Sequence, residues 1–223
     1  MQRQRLKPMT LALLVAFSAF AGATAQAQVV NGSLTGPISN GGVPPSWTLL
    51  AGSPDTMDAG NNVGVAGLQG FGAVPSATPN GGTWVGMGSD VGFIETFGQT
   101  VSGLTVGAQY TISWFDGNFG YAPASHSYIN ANAVRVLIDG VSIGTGATHG
   151  LGSAWFSESV FFTPTASSHQ LSFNLATSAK SYMSIDGISM TNVGAPVPEP
   201  ETYALMLAGL LAVGSVVRRR KPH

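Results

Sequence analysis

The chain has 223 residues and a formal net charge of −1; only 9% of its residues are charged, and it contains no cysteine. Disulfide bridges and thiolate metal sites are therefore excluded, and 30 glycines and 13 prolines make long soluble helices unfavourable. Residues 28–197 include eight acidic and two basic residues, so the net charge of this segment is −6. Such a charge repels phosphate backbones, which argues against nucleic-acid binding.

The N-terminus has the three parts of a secretory signal peptide. Three basic residues lie within the first seven positions, the apolar run Leu11–Ala21 follows, and two overlapping Ala-x-Ala patterns come next. The apolar run is short for a membrane span. We predict a signal peptide over residues 1–27 with cleavage after Ala27; cleavage after Ala25 and a retained N-terminal anchor are the alternatives.

Period-two alternation of apolar and polar residues, interrupted often by turn residues, predicts strands along the body of the chain. The predicted strands are Val29–Gly32, Ser46–Leu50, Thr83–Met87, Phe93–Phe97, Gln109–Phe115, a hairpin over Ala133–Ile143, Trp155–Phe162, Gln170–Ala176 and Tyr182–Met190. The pair Asp139-Gly140 suits the two φ > 0 positions of a type I′ turn. Gly52–Gly82 is weakly patterned and is expected to form long loops with at most one short strand. We predict an all-β, two-sheet sandwich forming a single domain over residues 28–195.

The chain ends with an apolar run followed by basic residues. Tyr203–Val217 contains 15 uncharged residues, a helix of about 22 Å against a hydrocarbon core of about 30 Å. The long side chains of Arg218–Arg220 can extend this reach, and their charge favours the cytoplasmic side. We therefore predict a single C-terminal transmembrane helix with the sandwich outside. The alternative, a buried helix of the domain, does not account for four consecutive basic residues.

The C-terminal segment resembles the PEP-CTERM sorting signal of Gram-negative bacteria. The resemblance rests on Pro198, Glu199 and Pro200, on the apolar helix, and on Arg218, Arg219 and Arg220. It implies that residues 196–223 are a sorting signal read by an exosortase, a membrane-embedded transpeptidase. It also implies export through the inner membrane, anchoring by the C-terminal helix, and release to the cell surface or extracellular matrix after processing. Proteins of this class typically come from bacteria that export polysaccharide and build biofilm.

The body resembles the galactose-binding-like jelly roll of many carbohydrate-binding modules. Asn31-Gly32-Ser33 followed by Trp47, the central Phe97–Phe115 and the closing Ser184–Met190 carry this resemblance. It implies a jelly-roll sandwich and a possible polysaccharide partner. Leu34-Thr35 stands where the family often has Phe-Glu, and the missing carboxylate weakens the family's structural calcium site. We therefore expect no cofactor, with a structural calcium ion as the alternative that is not favoured.

The loop Asp116–Asn132 is the candidate ligand-binding segment, because long loops in compact domains are often functional. Its candidate ligand-binding residues are Asp116, Asn118, Phe119, Tyr121, His126 and Tyr128. Aromatic faces beside polar groups suit a sugar; the alternative is that these rings cover one end of the sandwich. Ser127 stands where a calcium loop starting at Asp116 needs a bidentate acid, so an ordinary turn is favoured there. Asp186 is the candidate metal ligand, although a backbone hydrogen bond is its favoured role.

Catalytic motifs are lacking from the sequence. The body has neither a His-Glu-x-x-His nor a Gly-x-Ser-x-Gly pattern, and pairing Glu95 with Glu158 as glycosidase acids is arbitrary without geometry. We predict no catalytic residues and a non-enzymatic surface or extracellular-matrix protein associated with exopolysaccharide. The alternatives are a carbohydrate-binding module with a defined glycan ligand and, less favoured, a glycoside hydrolase.

Overall fold

The computed structural model describes residues 29–62, 65–66, 70–123, 126–194 and 205–211. The predicted signal peptide, Pro198–Pro200 and Arg218–Arg220 lie outside these ranges. The strands are β1 (Thr48–Ala51), β2 (Asp55–Met57), β3 (Asn61–Asn62), β4 (Val65–Ala66), β5 (Trp84–Asp90), β6 (Phe93–Ile94), β7 (Thr96–Ser102), β8 (Tyr110–Gly117), β9 (Val134–Ile138), β10 (Val141–Thr145), β11 (Phe156–Phe162), β12 (Ser168–Leu175) and β13 (Ser181–Asn192). Residues 205–211 are helical.

The strands form two antiparallel sheets. One sheet has the order β1-β7-β12-β9-β10, and the other has the order β11-β8-β13-β5-β2 with the short β6 paired to β5. The strands β3 and β4 pair with each other. The prediction of an all-β body with two sheets is confirmed.

The main core lies between the two sheets and follows the alternation that the sequence shows. In β8, the side chains of Tyr110, Ile112 and Trp114 are buried, while those between them are half-buried. The ring of Phe173 on β12 lies 6.2 Å from that of Trp114 and 5.8 Å from that of Phe97 on β7, measured between centroids. Each large apolar side chain buried in this way contributes about 1.5–3 kcal/mol.

The outer face of the six-stranded sheet is also covered. Because neighbouring residues of a strand point to opposite faces, Trp84 on β5 and Tyr182 on β13 point away from the main core. They form a second apolar cluster, to which loop residues contribute. Its buried members are Met57, Phe71, Trp84, Phe119 and Tyr182. The long loops are thereby packed onto the sheet.

Two predicted strands differ in the structure. Val29–Gly32 contains a turn over residues 30–33, because the side chain of Asn31 binds the carbonyl groups of Thr35 and Pro45 and curls the chain. Phe93–Phe97 is not one strand: it divides at Glu95 into β6, which pairs with β5, and β7, which joins the other sheet.

Two other expectations concern turns and loops. Asp139 and Gly140 have φ values of 50° and 78°, which the predicted type I′ turn requires. In Gly52–Gly82 the structure places three short strands, β2, β3 and β4, where we expected one at most. The segment lacks alternation because β2 is buried along its whole length against β5.

Within the described residues, no helix has the length and apolar character that a membrane crossing requires. The helical residues 205–211 lie inside the predicted transmembrane segment. Their large apolar side chains are exposed, and none of them packs into the two core clusters.

Candidate functional site

A pocket of about 420 Å³ opens on the outer face of the six-stranded sheet. Its lining residues are Asn40, Gly52, Ser53, Asp55, Gly88, Phe93, Glu95, Tyr121, His126, Tyr128 and Tyr182. Buried groups from β2, β5 and β13 form its floor together with Glu95, and exposed or half-buried residues, most of them in loops, form its rim. A Cβ atom at Gly86 of β5 would collide with the Tyr182 hydroxyl, so the glycine lets this ring lie across the sheet.

The carboxyl group of Asp55 lies at the floor of the pocket, where its side chain is 2% exposed. Its Oδ2 accepts a hydrogen bond of 2.5 Å from the Tyr182 hydroxyl, and its Oδ1 accepts one of 2.6 Å from the backbone N–H of Gly41. Burial raises the pKa of Asp55, and the two hydrogen bonds offset part of that effect. Burial also raises the pKa of Tyr182 well above its ordinary value, so the phenol stays a donor.

Glu95, at the junction of β6 and β7, supplies a second buried carboxyl group and is 7% exposed. Its Oε2 accepts a hydrogen bond of 2.6 Å from the N–H of Gly88, and its Oε1 accepts one of 3.0 Å from the Ser53 hydroxyl. Burial raises the pKa of Glu95 most, and the charge of Asp55 raises it further. Both carboxyl groups therefore hold their protons to a higher pH than exposed acids do.

Aromatic rings border this acidic floor. Tyr121 and Tyr128 exchange two backbone hydrogen bonds, of 3.2 and 2.9 Å, which bring their rings to 6.4 Å between centroids. The ring of Tyr121 also lies 6.0 Å from that of Tyr182 and 5.8 Å from that of His126. Ring faces beside buried acids can hold a ligand that has both apolar and hydroxyl-bearing surfaces, and acids with raised pKa values can donate protons to it.

The structure divides the predicted ligand-binding residues into two groups. Tyr121, His126 and Tyr128 line the pocket. Phe119 lies fully buried in the second apolar cluster, where its ring packs edge-on against Trp84. Asp116 and Asn118 are buried elsewhere, as described next.

Asp116 belongs to a separate cluster with His149 and Glu158. The Nε2 atom of His149 lies 3.0 Å from Oε1 of Glu158 and 3.3 Å from Oδ1 of Asp116. Burial raises the pKa of Asp116 to about 7. The hydrogen bond that its carboxylate accepts from Trp114 acts in the opposite direction and lowers this pKa. Asn118 donates to the His149 carbonyl and so fixes the loop that carries this histidine. Glu95 and Glu158, considered together from the sequence, lie in different sites.

Asp186, the predicted metal ligand, is buried in β13. Its carboxylate accepts hydrogen bonds from the Thr78 hydroxyl and from the N–H of Gly187. Burial is the main cause that raises its pKa. The predicted sorting residues lie outside the described ranges.

Sequence reasoning missed the acidic floor of the pocket. Asp55 lies in a segment without alternation, and its phenol partner Tyr182 is 127 residues away. Glu95 did carry a signal: in the predicted strand Phe93–Phe97 it shares a face with two phenylalanines. An acid in an apolar face indicates a buried carboxyl group or a change of sheet, and here both occur.

Comparison with known proteins identifies the C-terminal segment. Residues 196–221 match the family model of the PEP-CTERM protein-sorting motif, which confirms the sequence-based recognition. The motif implies an extracellular protein that an exosortase sorts. No curated protein matches the chain in sequence.

Solved structures are similar to the body at low sequence identity, and two cyclases share its fold. A cyclase from Fischerella sp. TAU, solved with 4-(1H-indol-3-yl)butan-2-one, is 14% identical with a TM-score of 0.52, over 73% of this chain and 99% of that chain. The Stig cyclase Fisc from the same organism is 16% identical with a TM-score of 0.51, over 76% of this chain and 98% of that one. The CBM36-1 domain of a xylanase from the hindgut metagenome of Trinervitermes trinervoides is 14% identical with a TM-score of 0.37, over 54% of this chain and 86% of that chain.

These comparisons correct one prediction. The chain was expected not to be an enzyme, because catalytic motifs are lacking from its sequence. That prediction is wrong, since the cyclases, which are enzymes, have the same fold over nearly their whole length. The likeness shows a shared fold, and cyclisation is the activity of those proteins.

Replacing Asp55 by Asn tests the buried carboxyl group. In the wild type the folded state holds this proton more tightly than the unfolded state, whose Asp pKa is about 3.9. The bound proton therefore stabilises the folded state fully below the pKa of the unfolded state. This stabilisation is lost as the pH rises through the pKa of Asp55 in the folded state. The free energy of unfolding is measured by urea titration between about pH 4 and 7. We expect it to fall less with rising pH in Asp55→Asn than in the wild type.

Tyr182→Phe is the matched control. It removes the hydrogen bond that opposes the pKa rise of Asp55, so its stability should fall more steeply with pH than that of the wild type. Equal slopes in all three proteins would contradict the assignment.

Proposed function

We propose that this protein is exported, sorted by an exosortase, and binds a carbohydrate in the pocket on the outer face of the six-stranded sheet. The observation that carries the proposal is the combination, in one pocket, of two buried carboxyl groups at the floor and aromatic rings at the rim.

A sugar fits this combination for two reasons. The C–H face of a sugar ring packs on an aromatic face, here that of Tyr121 or Tyr128, while its hydroxyl groups reach polar atoms such as those of Asp55 and Glu95. A volume of about 420 Å³ lies within the range of small-molecule binding pockets. The acidic floor and the net charge of −6 favour a neutral or basic saccharide over a phosphorylated or acidic one.

The targeting segments support the same function. A signal peptide over residues 1–27 would export the sandwich domain of residues 28–195, and a transmembrane helix within residues 196–223 would hold it at the inner membrane until an exosortase acts. At the cell surface or in the extracellular matrix, exported polysaccharide is the carbohydrate that such a pocket would meet. A role in biofilm follows from this placement.

Replacing Tyr121 by Ala tests sugar binding. The full chain, purified in detergent, is applied to a glycan array, and we expect the wild type to retain a defined set of saccharides. Stacking on one aromatic ring is worth about 1 kcal/mol, so the variant should bind these saccharides roughly fivefold or more weakly.

Phe161→Ala is the control, because Phe161 is an aromatic residue on β11 that is 64% exposed outside the pocket. It should bind as the wild type does. Retention of no saccharide by the wild type, or equal retention by Tyr121→Ala, would contradict carbohydrate binding in this pocket.

The two carboxyl groups favour a second function in the same pocket, acid-catalysed cleavage of a glycosidic bond. The charge of Asp55 raises the pKa of Glu95, which favours a protonated Glu95 beside an ionised Asp55, and glycoside hydrolysis needs one protonated and one ionised carboxyl group. The saccharide retained on the array is incubated with the chain, and products are separated by chromatography. Glu95→Gln should keep binding and lose about 100-fold or more of the turnover.

Asp90→Asn changes an acid outside the pocket, paired with Lys180, and should keep wild-type turnover. No product from the wild type, or equal turnover by Glu95→Gln, would contradict hydrolysis and leave the binding proposal standing.

The sorting motif has its own test. Glu199→Ala, expressed in the native host, should accumulate as a full-length membrane form, because the exosortase would no longer read Pro198-Glu199-Pro200. Glu201→Ala removes a neighbouring acid outside the motif and should be processed normally. Immunoblots of membrane and medium fractions measure both, and normal processing of Glu199→Ala would contradict the proposed recognition.

A further inference from the structure

The cluster of Asp116, His149 and Glu158 lies at one end of the space between the sheets, on the opposite face of the six-stranded sheet from the pocket. Asp116 belongs to the inward-facing set of β8 that includes Trp114, and Glu158 comes from the adjacent edge strand β11. His149 follows β10 in the chain. The inference from this cluster is therefore independent of the proposed carbohydrate binding.

The His149 ring is held in place from two sides. Its backbone exchanges hydrogen bonds of 2.8 and 3.2 Å with Asn132. Its imidazole stacks on the ring of Phe156, with centroids 3.9 Å apart and planes 6° from parallel. The Nε2 atom is thereby directed at the two carboxylates rather than at solvent, as a pre-organised ligand must be.

The hydrogen bonds of the cluster do not satisfy its acceptors. Nε2 of His149 carries at most one proton, and Oε1 of Glu158 at 3.0 Å is its hydrogen-bond partner. Asp116 is 0% exposed, and its Oδ1 atom, 3.3 Å from the same nitrogen, has no hydrogen-bond partner. Its Oδ2 already accepts a bond of 2.9 Å from Trp114 Nε1. A buried acceptor without a donor destabilises the folded state, and a bound cation would offset that cost.

We propose that Asp116, His149 and Glu158 bind a divalent first-row transition-metal ion of the Zn²⁺ class. Metal bonds of about 2.0–2.2 Å in a tetrahedral site place neighbouring ligand atoms about 3.3–3.6 Å apart. The nitrogen lies 3.0 and 3.3 Å from the two oxygens, and the three donor atoms lie within 4.8 Å of one another. An imidazole nitrogen in the set favours Zn²⁺ over Ca²⁺ and Mg²⁺, which prefer oxygen ligands.

Gly146 keeps a side chain away from the cluster, because any side chain here would press against two of its acids. A Cβ atom at this position would lie 3.0 Å from Cγ of Glu158 and 3.2 Å from Oδ2 of Asp116. The side chains of His149 and Glu158 are 11% and 16% exposed, so the cluster opens to solvent on one side. Three protein ligands with one accessible side match a site whose fourth position takes water or an exogenous ligand.

Metal binding is measured on the full chain, purified in detergent and stripped with a chelator. Equilibrium dialysis against ZnCl₂ with elemental analysis should give one Zn²⁺ per chain, and the thermal unfolding midpoint should rise with Zn²⁺ concentration. Co²⁺ in place of Zn²⁺ should give visible d–d absorption bands of a four-coordinate ion. These readouts require no assumption about activity.

His149→Gln and Glu158→Gln each remove one ligand with little change in volume, and each should weaken Zn²⁺ binding by at least about tenfold. His169→Gln is the matched control: His169 pairs with Asp139 at 2.5 Å, outside the cluster, and its loss should leave Zn²⁺ binding unchanged. Far-UV circular dichroism verifies the fold. Glu158 lies on an edge strand and is partly exposed, so Glu158→Gln is expected to fold. This variant alone tests the proposal if His149→Gln does not fold.

The proposal is overturned by three results. The first is that the wild type binds no stoichiometric Zn²⁺. The second is that the folded ligand variants bind Zn²⁺ as tightly as the wild type, and the third is that the site binds Ca²⁺ in preference to Zn²⁺. A loss confined to the two ligand variants supports it.

Discussion

Strands β5 and β13 bury side chains on both of their faces, and the other features of the molecule depend on this constraint. On the inner face, Val85 of β5 pairs with Ile185 of β13 and closes the core between the sheets. On the outer face, Trp84 and Tyr182 anchor the loops that cover the sheet. Without that second apolar layer the loops would have nothing to pack against, and the pocket would have no walls.

The scarcity of basic residues determines the electrostatics of both sites. Arg135 and Lys180 are the two basic residues between positions 28 and 197, and they bind Asn174 and Asp90 at the periphery. Among the residues that the structure describes, no Lys or Arg side chain therefore pairs with Asp55 or Glu95. Hydrogen bonds and retained protons stabilise the carboxyl groups of Asp55 and Glu95 instead, and burial raises both pKa values.

The two sites differ in how their buried carboxyl groups are hydrogen-bonded. In the pocket, each carboxyl group has hydrogen-bond donors of its own, and burial nevertheless keeps it a weak acid beside aromatic rings. In the inner cluster, Asp116 and Glu158 share a single histidine nitrogen, and one buried oxygen has no hydrogen-bond donor. The oxygen of Asp116 that lacks a donor is the acceptor that a divalent cation would use.

Local patterns in the sequence were enough to determine the strands that alternate, such as β8, the turn at Asp139-Gly140, and the linear sorting motif at residues 196–221. Each of these depends on neighbouring residues, so its signal is contained in a short window. The same reasoning placed Tyr121 and Tyr128 in one candidate loop, because they are close in the chain.

The tertiary structure alone decided the outer layer and both polar sites. The hydrogen bond between Tyr182 and Asp55 spans 127 residues, and that between Ser53 and Glu95 spans 42. Asp116 and Glu158 meet because β8 and β11 are adjacent in the sheet. Strand pairing brings together residues whose positions in the chain share no period, and the burial that shifts their pKa values exists only after the sheets and loops have packed.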